Sequence, residues 1–511
     1  VMEHLLIAPV VLPALVAPFI IMVLRHHLDL QRIFSLASAV LLAGITLALA
    51  SQSADGTVKV YELGDWPAPF GIVLVLDRLS AMMIVLTSLL ALPVLLYAIG
   101  SGWDTRGSNF HALFQFQLMG IMGAFLTGDA FNLFVFFEVL LIASYGLMIH
   151  SGGTRRFQAG VQYVVFNLLG STLFLFALGT LYAVTGTLNM ADLAVKVAQI
   201  PAEDTALLRV GAVMLLLVFA IKASLLPLHF WLPSAYANAP MPVAALFAIM
   251  TKVGAYSILR IYTLVFGPEV EATAGLTESW LLPAALLTLG AGAIGVLGSR
   301  KLGRLAAFGA IASMGTLLIA ISLFTETAAA AALYYLVHST LAAALLFLVA
   351  DLVIERQGQW ILPQLPMPQT GLISALFFAA AIALAGMPPL SGFLGKLLVL
   401  DATRGADLAP WIWGVILLGS LITIIGMARA GSLLFWKGHG LPQRAAEEPG
   451  YTAAETAPPP ALAFVACFGL LAGLVALTVF AGPATRYAEA TAAQLYAPAA
   501  YIDTVLGRTA E

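Results

Sequence analysis

The sequence predicts an all-α integral membrane protein of about fourteen transmembrane helices, and three observations carry that expectation. Charged residues make up 10% of the 511 positions and hydrophobic ones 61%, with mean hydropathy +0.99. A soluble domain carries about 25% charged residues, so this chain cannot cover a water-facing surface. Apolar runs long enough to span a bilayer, roughly 20 residues each, recur from end to end. They are continuously apolar rather than alternating, which predicts helices and not a barrel.

The runs centre near Leu15, Leu41, Thr87, Met119, Leu140, Leu173, Leu216, Thr251, Leu287, Met314, Ala343, Ala380, Leu418 and Gly469. The first, LLIAPVVLPALVAPFIIMVL, lacks a basic leader and is long enough to be a span rather than a signal peptide. Two later runs are interrupted. IKASLLPLHFWLPSAYANAPMPV holds Pro227, Pro233, Pro240 and Pro242; ALAGMPPLSGFLGKLL holds Pro388 and Pro389. Proline removes a backbone donor and clashes with the preceding turn. Inside a membrane such breaks persist where they are buried in protein or line a wet cavity. Two interrupted spans, each carrying a lysine, point to a transport site between structural repeats. They fall seventh and twelfth, five apart. Because five is odd, five-span repeats must run in opposite orientations. The expected division is residues 1–108 for the first three spans, 109–268 and 269–438 for two inverted five-helix repeats, and 439–511 for a loop, the last span and a tail. The Pro- and Ala-rich link WKGHGLPQRAAEEPGYTAAETAPPP reads as a flexible inner loop.

Lysine and arginine set the orientation. With the N-terminus outside, inner links carry Arg25, Arg32, Arg106, Arg155, Arg156, Arg300, Lys301, Arg304, Arg356, Lys437 and Arg444. The outer links and tail carry Lys59, Lys196, Arg209, Arg404, Arg486 and Arg508. The bias places both termini outside. No basic block suggests nucleic acid as a partner, and the one cysteine, Cys467 in an apolar run, excludes a disulfide within the chain or a CxxC site.

A few ionisable residues fall inside the runs. Glu138 lies in FNLFVFFEVLLIASYGLMI, Lys222 after GAVMLLLVFAI and Lys252 within VAALFAIMTKVGAYSILR. His338 lies in ALYYLVHSTLAAALL, and Lys396 follows the second break. Left facing lipid, each charge costs roughly 2.5–3.5 kcal/mol. They must therefore be paired or hydrated inside the protein. One acid cannot neutralise three lysines. Burial disfavours an ammonium charge and a carboxylate restores it, so a row of such groups can hold and pass protons. Plainer readings stand beside this one. A lysine near a span end can snorkel, and His338 and His229 can be packing residues. Arg260 and Arg429 read as helix-end or structural groups, and Asp77 and Asp129 as helix caps. GAGAIG at residues 290–295 fits G-x-G-x-x-G but lies in an apolar run with no preceding strand, so it reads as close helix packing. No Walker motif, HExxH or metal-spaced cluster occurs, so no cofactor or metal is expected, and the driving force is an ion gradient or a partner.

GDAFNLFVFFEVLLIASYGLMI, KASLLPLHFWLPSAYANAPMPVAALFAIMTKVGAYSILR and GMPPLSGFLGK resemble the proton-translocating antiporter-like family. That family includes the large membrane subunits of respiratory complex I and of Mrp-type cation/proton antiporters. The likeness covers residues 77–436 and is nearest to the D-type Mrp subunits. FNLFVFFEVLLIASY favours them, as does Lys396 where one complex I subunit type has a glutamate. The chain also ends soon after the last run, without a long lateral helix or C-terminal extension.

The resemblance implies fourteen spans with inverted repeats over spans four to eight and nine to thirteen. It makes Glu138 the fifth-span acid, Lys222 its partner, Lys252 the central lysine, His338 the relay and Lys396 the far-end lysine; His229 matches a further family position. It departs where STLAAALL follows His338, because many relatives place a lysine within LAAA, and where SRKLGRLAAFGAIASMG lacks an acid before the basic pair.

The implied function is a proton-translocating subunit of a sodium or potassium/proton antiporter in the bacterial cytoplasmic membrane. Its implied partners are other Mrp subunits in a hetero-oligomeric complex. Paired with Glu138, Lys222 holds its proton; separated, it hands it to Lys252, and His338 and Lys396 carry it out. The chain is expected to be a secondary transporter subunit and not an enzyme. The alternatives are a complex I or hydrogenase-type subunit, a free-standing permease for an organic solute, and a non-conducting scaffold.

Overall fold

The computed structural model describes residues 3–440 and 457–508. All but one small hairpin of the regular structure is helical. Helices α1 (Ala8–Met22) and α2 (Leu28–Ser53) lead to a two-stranded antiparallel hairpin, β1 (Lys59–Glu62) and β2 (Val73–Leu76), with Lys59 opposite Leu76. Helices α3 (Arg78–Gly100), α4 (Phe110–Leu126), α5 (Ala130–Met148), α6 (Thr154–Thr185) and a short α7 (Met190–Ala198) follow.

The first interrupted run becomes α8 (Ala206–Lys222) and α9 (Trp231–Asn238), and α10 (Met241–Phe247) and α11 (Met250–Leu264) come next. Then come α12 (Leu281–Gly298), α13 (Leu302–Ser322) and α14 (Glu326–Gln357). The second interrupted run becomes α15 (Thr370–Ala385) and α16 (Ser391–Ala402), followed by α17 (Ala409–Gly431). The chain closes with α18 (Ala461–Val479), α19 (Ala481–Leu495) and α20 (Ala499–Val505).

Every predicted centre falls inside a helix, and both proline-rich stretches break one. Among the described residues, 10 helical segments are long and apolar enough to cross a membrane, with α1, α4 and α15 as shorter apolar helices. The chain is a multi-span, all-helical membrane protein. The expected inner loop falls partly outside the described residues, which omit 441–456.

Burial ranks the helices. The apolar segment Met241–Leu264 is 100% buried, and α13 and α14 are 94% and 89% buried, whereas α2, α6, α17 and α18 are each 33% buried. Helices apolar on every side belong at the centre of a bundle, and α10, α11, α13 and α14 occupy it.

The expected caps and packing are present. The Asp77 carboxylate accepts from Ser80 N–H at 2.9 Å, and Asp129 accepts from Asn132 N–H at 2.8 Å, each fixing the start of its helix. GAGAIG is a packing seam: a Cβ on Gly292 would lie 2.4 Å from the Ala312 backbone, and one on Gly295 2.1 Å from the Phe308 ring.

Candidate functional site

Lys222 is the last residue of α8, 4% exposed, at the helix end where the dipole favours a cation. The break after it is pinned twice. Trp231 Nε1 donates to the Ile221 carbonyl at 3.0 Å, and Leu226 N–H donates to Thr288 Oγ1 of α12 at 2.8 Å. Yet Lys222 Nζ has no hydrogen-bond partner, and neither does Glu138 Oε1.

The expected Glu138–Lys222 ion pair is not formed. Glu138 lies on the outward stripe of α5 with Phe131, Val135 and Ile142, all exposed, and is itself half-buried, whereas Lys222 points into the bundle. Residues three and four apart share one helix face, so Glu138 shares that stripe, although its Oε1 is buried. It still lies close enough to act electrostatically on the ammonium. A cavity of about 20 Å³ beside Lys222 is lined by Asn167, Ser171 and Phe137, among others. That is room for about one water.

Lys252, 1% exposed, sits in the first turn of α11 with Nζ 3.2 Å from Met314 Sδ of α13. Gly254 lets α11 touch α8: a Cβ there would lie 2.7 Å from Ala223 N and 2.8 Å from the Phe219 carbonyl. The two lysines thus stand on helices in backbone contact. Past Met314, Ser313 and Thr316 of α13 and Tyr335 of α14 are all buried. The Tyr335 ring centroid is 5.5 Å from that of His338.

His338 is 1% exposed and reaches the far side of the second break: Nδ1 is 2.8 Å from Ser391 Oγ at the start of α16. Lys252 and Lys396 both act on it electrostatically. Lys396 Nζ donates to the Ala385 carbonyl at 3.0 Å and to Ser420 Oγ of α17 at 2.8 Å. Gly386 is required here: its φ is +77°, and a Cβ would lie 2.6 Å from Lys396 Cδ.

His229 stands apart from this row. It lies in the first break and lines a cavity of about 980 Å³ with Arg156, Lys301, Asp351 and Glu355, its Nδ1 unpartnered. Sequence reasoning passed over Asp351, although its setting LFLVADLVIE carries the same signal as that of Glu138. Asp351 is 1% exposed and accepts from Tyr97 OH at 2.7 Å and Trp103 Nε1 at 3.0 Å. Of the two readings of Arg260, the structural one applies: it holds Asp77 in a buried bidentate pair at 2.5 and 2.7 Å. No sequence signal links residues 183 positions apart. Among the described residues, no cluster of His, Cys, Asp or Glu is placed to hold a metal ion.

Residues 127–424 match the family model described as NADH:quinone oxidoreductase/Mrp antiporter, TM. The chain is 40% identical to the D-type subunit of a probable K(+)/H(+) antiporter of Rhizobium meliloti, over 99% of this chain and 98% of that one. It is 37% identical to the D-type subunit of the Na(+)/H(+) antiporter of Alkalihalophilus pseudofirmus, over 99% and 100%. A chain of the Mrp complex from Dietzia sp. superposes with TM-score 0.88 at 28% identity, covering 99% of this chain and 100% of that one. A chain of respiratory complex I from Thermus thermophilus superposes with TM-score 0.77 at 24% identity, covering 97% and 100%, a likeness of fold alone.

Proposed function

The chain belongs to the membrane-subunit family shared by NADH:quinone oxidoreductases and Mrp antiporters, and from that premise we propose that it is the D-type, proton-translocating subunit of a multisubunit sodium or potassium/proton antiporter. The observation that carries the proposal is the row of buried cations without carboxylate partners. Lys222, Lys252, His338 and Lys396 run across both halves of the bundle, the outer members at the two helix breaks. Such groups cannot stay charged in a dry interior, so they are either hydrated or emptied of protons during turnover.

In this reading a proton reaches Lys222, moves to Lys252 across the Gly254 contact, passes the hydroxyls of Ser313, Thr316 and Tyr335 to His338, and leaves by Lys396. Glu138 sets the charge on Lys222 without touching it, and the small cavity beside Lys222 has room for a water that hydrates its ammonium. His229 joins the route through the large polar cavity. Moving one charge across 100 mV is worth about 2.3 kcal/mol, so partial displacement of these charges is a usable coupling term. A half-exposed Glu138 would cost roughly 2.5–3.5 kcal/mol against lipid, so its stripe of α5 faces another subunit of the assembly.

Counting α8 with α9, α10 with α11 and α15 with α16 as single spans, and leaving out α7, α19 and α20, gives fourteen, with inverted repeats over residues 109–268 and 269–438. We place the protein in the bacterial cytoplasmic membrane with both termini outside. The test is cation/proton exchange in vesicles holding the complete complex with Glu138→Ala, Lys222→Ala or Lys252→Ala. Each variant is expected to reduce exchange toward the background of vesicles lacking the complex. Near-normal exchange in all three would sink the route.

A further inference from the structure

A second site lies where α12 gives way to α13. A cleft of about 460 Å³ there is lined by Arg300, Lys301 and Arg304, with Ser299, Phe308 and Trp360. Behind it Arg429 of α17 donates Nη2 to the Ser299 carbonyl at 2.6 Å, while its Nε is buried with no partner. Among the described residues, none of these four cations has a carboxylate within 4.0 Å. The acids of the neighbouring cavity are already engaged: Glu355 by Arg106 at 2.7 Å, and Asp351 by Tyr97 and Trp103. Four like charges gathered without a counter-charge repel one another, and among the described residues no carboxylate pairs with them.

The cleft is also built. Leu302 N–H donates to the Gln359 carbonyl at 2.9 Å, and Ile361 N–H donates to the Arg300 carbonyl at 2.9 Å. This short antiparallel staple fixes the backbone bearing the cations. Lys301 Nζ stands 4.7 Å from the Trp360 ring centroid, which holds its side chain in place. A positive-inside bias requires cations at this end of the bundle, but not their fixing around one cleft. Beside the cleft, Ile294 at 64%, Leu362 at 54% and Trp360 at 45% exposure present apolar surface outward. Tryptophan favours the level where lipid headgroups meet acyl chains.

We propose that this cleft binds a phosphate-bearing anion, supplied by the headgroup of an anionic phospholipid whose acyl chains lie along the outward face of α12. Guanidinium groups match phosphate oxygens in paired hydrogen bonds. Basic pockets between helices at this depth suit such headgroups. The anion would brace the α12–α13 corner and Arg429 of α17 from one point.

The test is titration of the purified complete complex with phosphatidylglycerol, read by native mass spectrometry, with phosphatidylcholine as the net-neutral control. Wild type should retain phosphatidylglycerol in preference, with affinity falling about fivefold for each cation removed in R300Q, K301Q and R304Q. Displacement by millimolar inorganic phosphate would assign the site to free phosphate; resistance to it would assign it to the lipid headgroup. W360A, which leaves every cation in place, guards against a folding artefact and should weaken retention less than R304Q. Equal retention of both lipids, or unchanged retention in the three cation variants with the complex intact, would overturn the proposal.

Discussion

The two helix breaks carry the same kind of residue in opposite states. At the first, Lys222 Nζ and Glu138 Oε1 are buried and make no hydrogen bond. At the second, Lys396 is bonded to Ala385 and Ser420, and His338 to Ser391. The break itself explains the lysine's state: ending α15 at Ala385 frees a carbonyl that α16 cannot use, and Lys396 takes it. At the first break the freed groups are taken by Trp231 and Thr288 instead, leaving Lys222 without a protein partner. The contrast teaches that a broken helix can either hold a charge or leave it free to change partners. Here each half does one of these.

The largest consequence separates transport from stability. Lys222→Met and Lys396→Met should both bring exchange to background. Lys396→Met orphans a buried carbonyl and a serine hydroxyl, a loss of about 1–3 kcal/mol. Lys222→Met removes a buried group that has no partner and should leave thermal stability unchanged or raised. Melting curves of the two complexes in one detergent check this; equal losses would erase the contrast. Next in size, Gly386→Ala forces a side chain into the left-handed region and against Lys396, costing about 1–2 kcal/mol. It should lower both stability and exchange, while Gly290→Ala, in open space by the same geometry, should do neither. Smallest, Ser391→Ala removes the hydroxyl bonded to His338 Nδ1. It should cost about 1 kcal/mol and slow exchange without abolishing it, as stopped-flow dye measurements would show.

Much of this was legible in the sequence because one physical rule dominates in a membrane. Apolar runs report helices, proline reports breaks, and a charge in an apolar run reports a cost that something must offset. That logic found Glu138, Lys222, Lys252, His338 and Lys396. It did not find the staggering of Glu138 from Lys222, since facing depends on how α5 and α8 rotate against their neighbours. Nor did it find the Arg260–Asp77 pair, whose members read locally as a helix end and a cap. The cap reading of Asp77 holds, while Arg260, inside α11 rather than in its last turn, takes its role from the tertiary contact. Asp351 was missed for a different reason: it sits near the end of a long run, where a charge is expected to reach water, and only the packing of Tyr97 and Trp103 shows that it does not.

The claim that Glu138 and Lys222 act as one unit without touching can be measured directly. A double-mutant cycle with Glu138→Gln and Lys222→Gln, read as exchange rate in vesicles of the intact complex, isolates their coupling. The two substitutions should be strongly non-additive, the double variant exchanging no more slowly than the worse single one. Losses that multiply, or a single variant that exchanges normally, would contradict it.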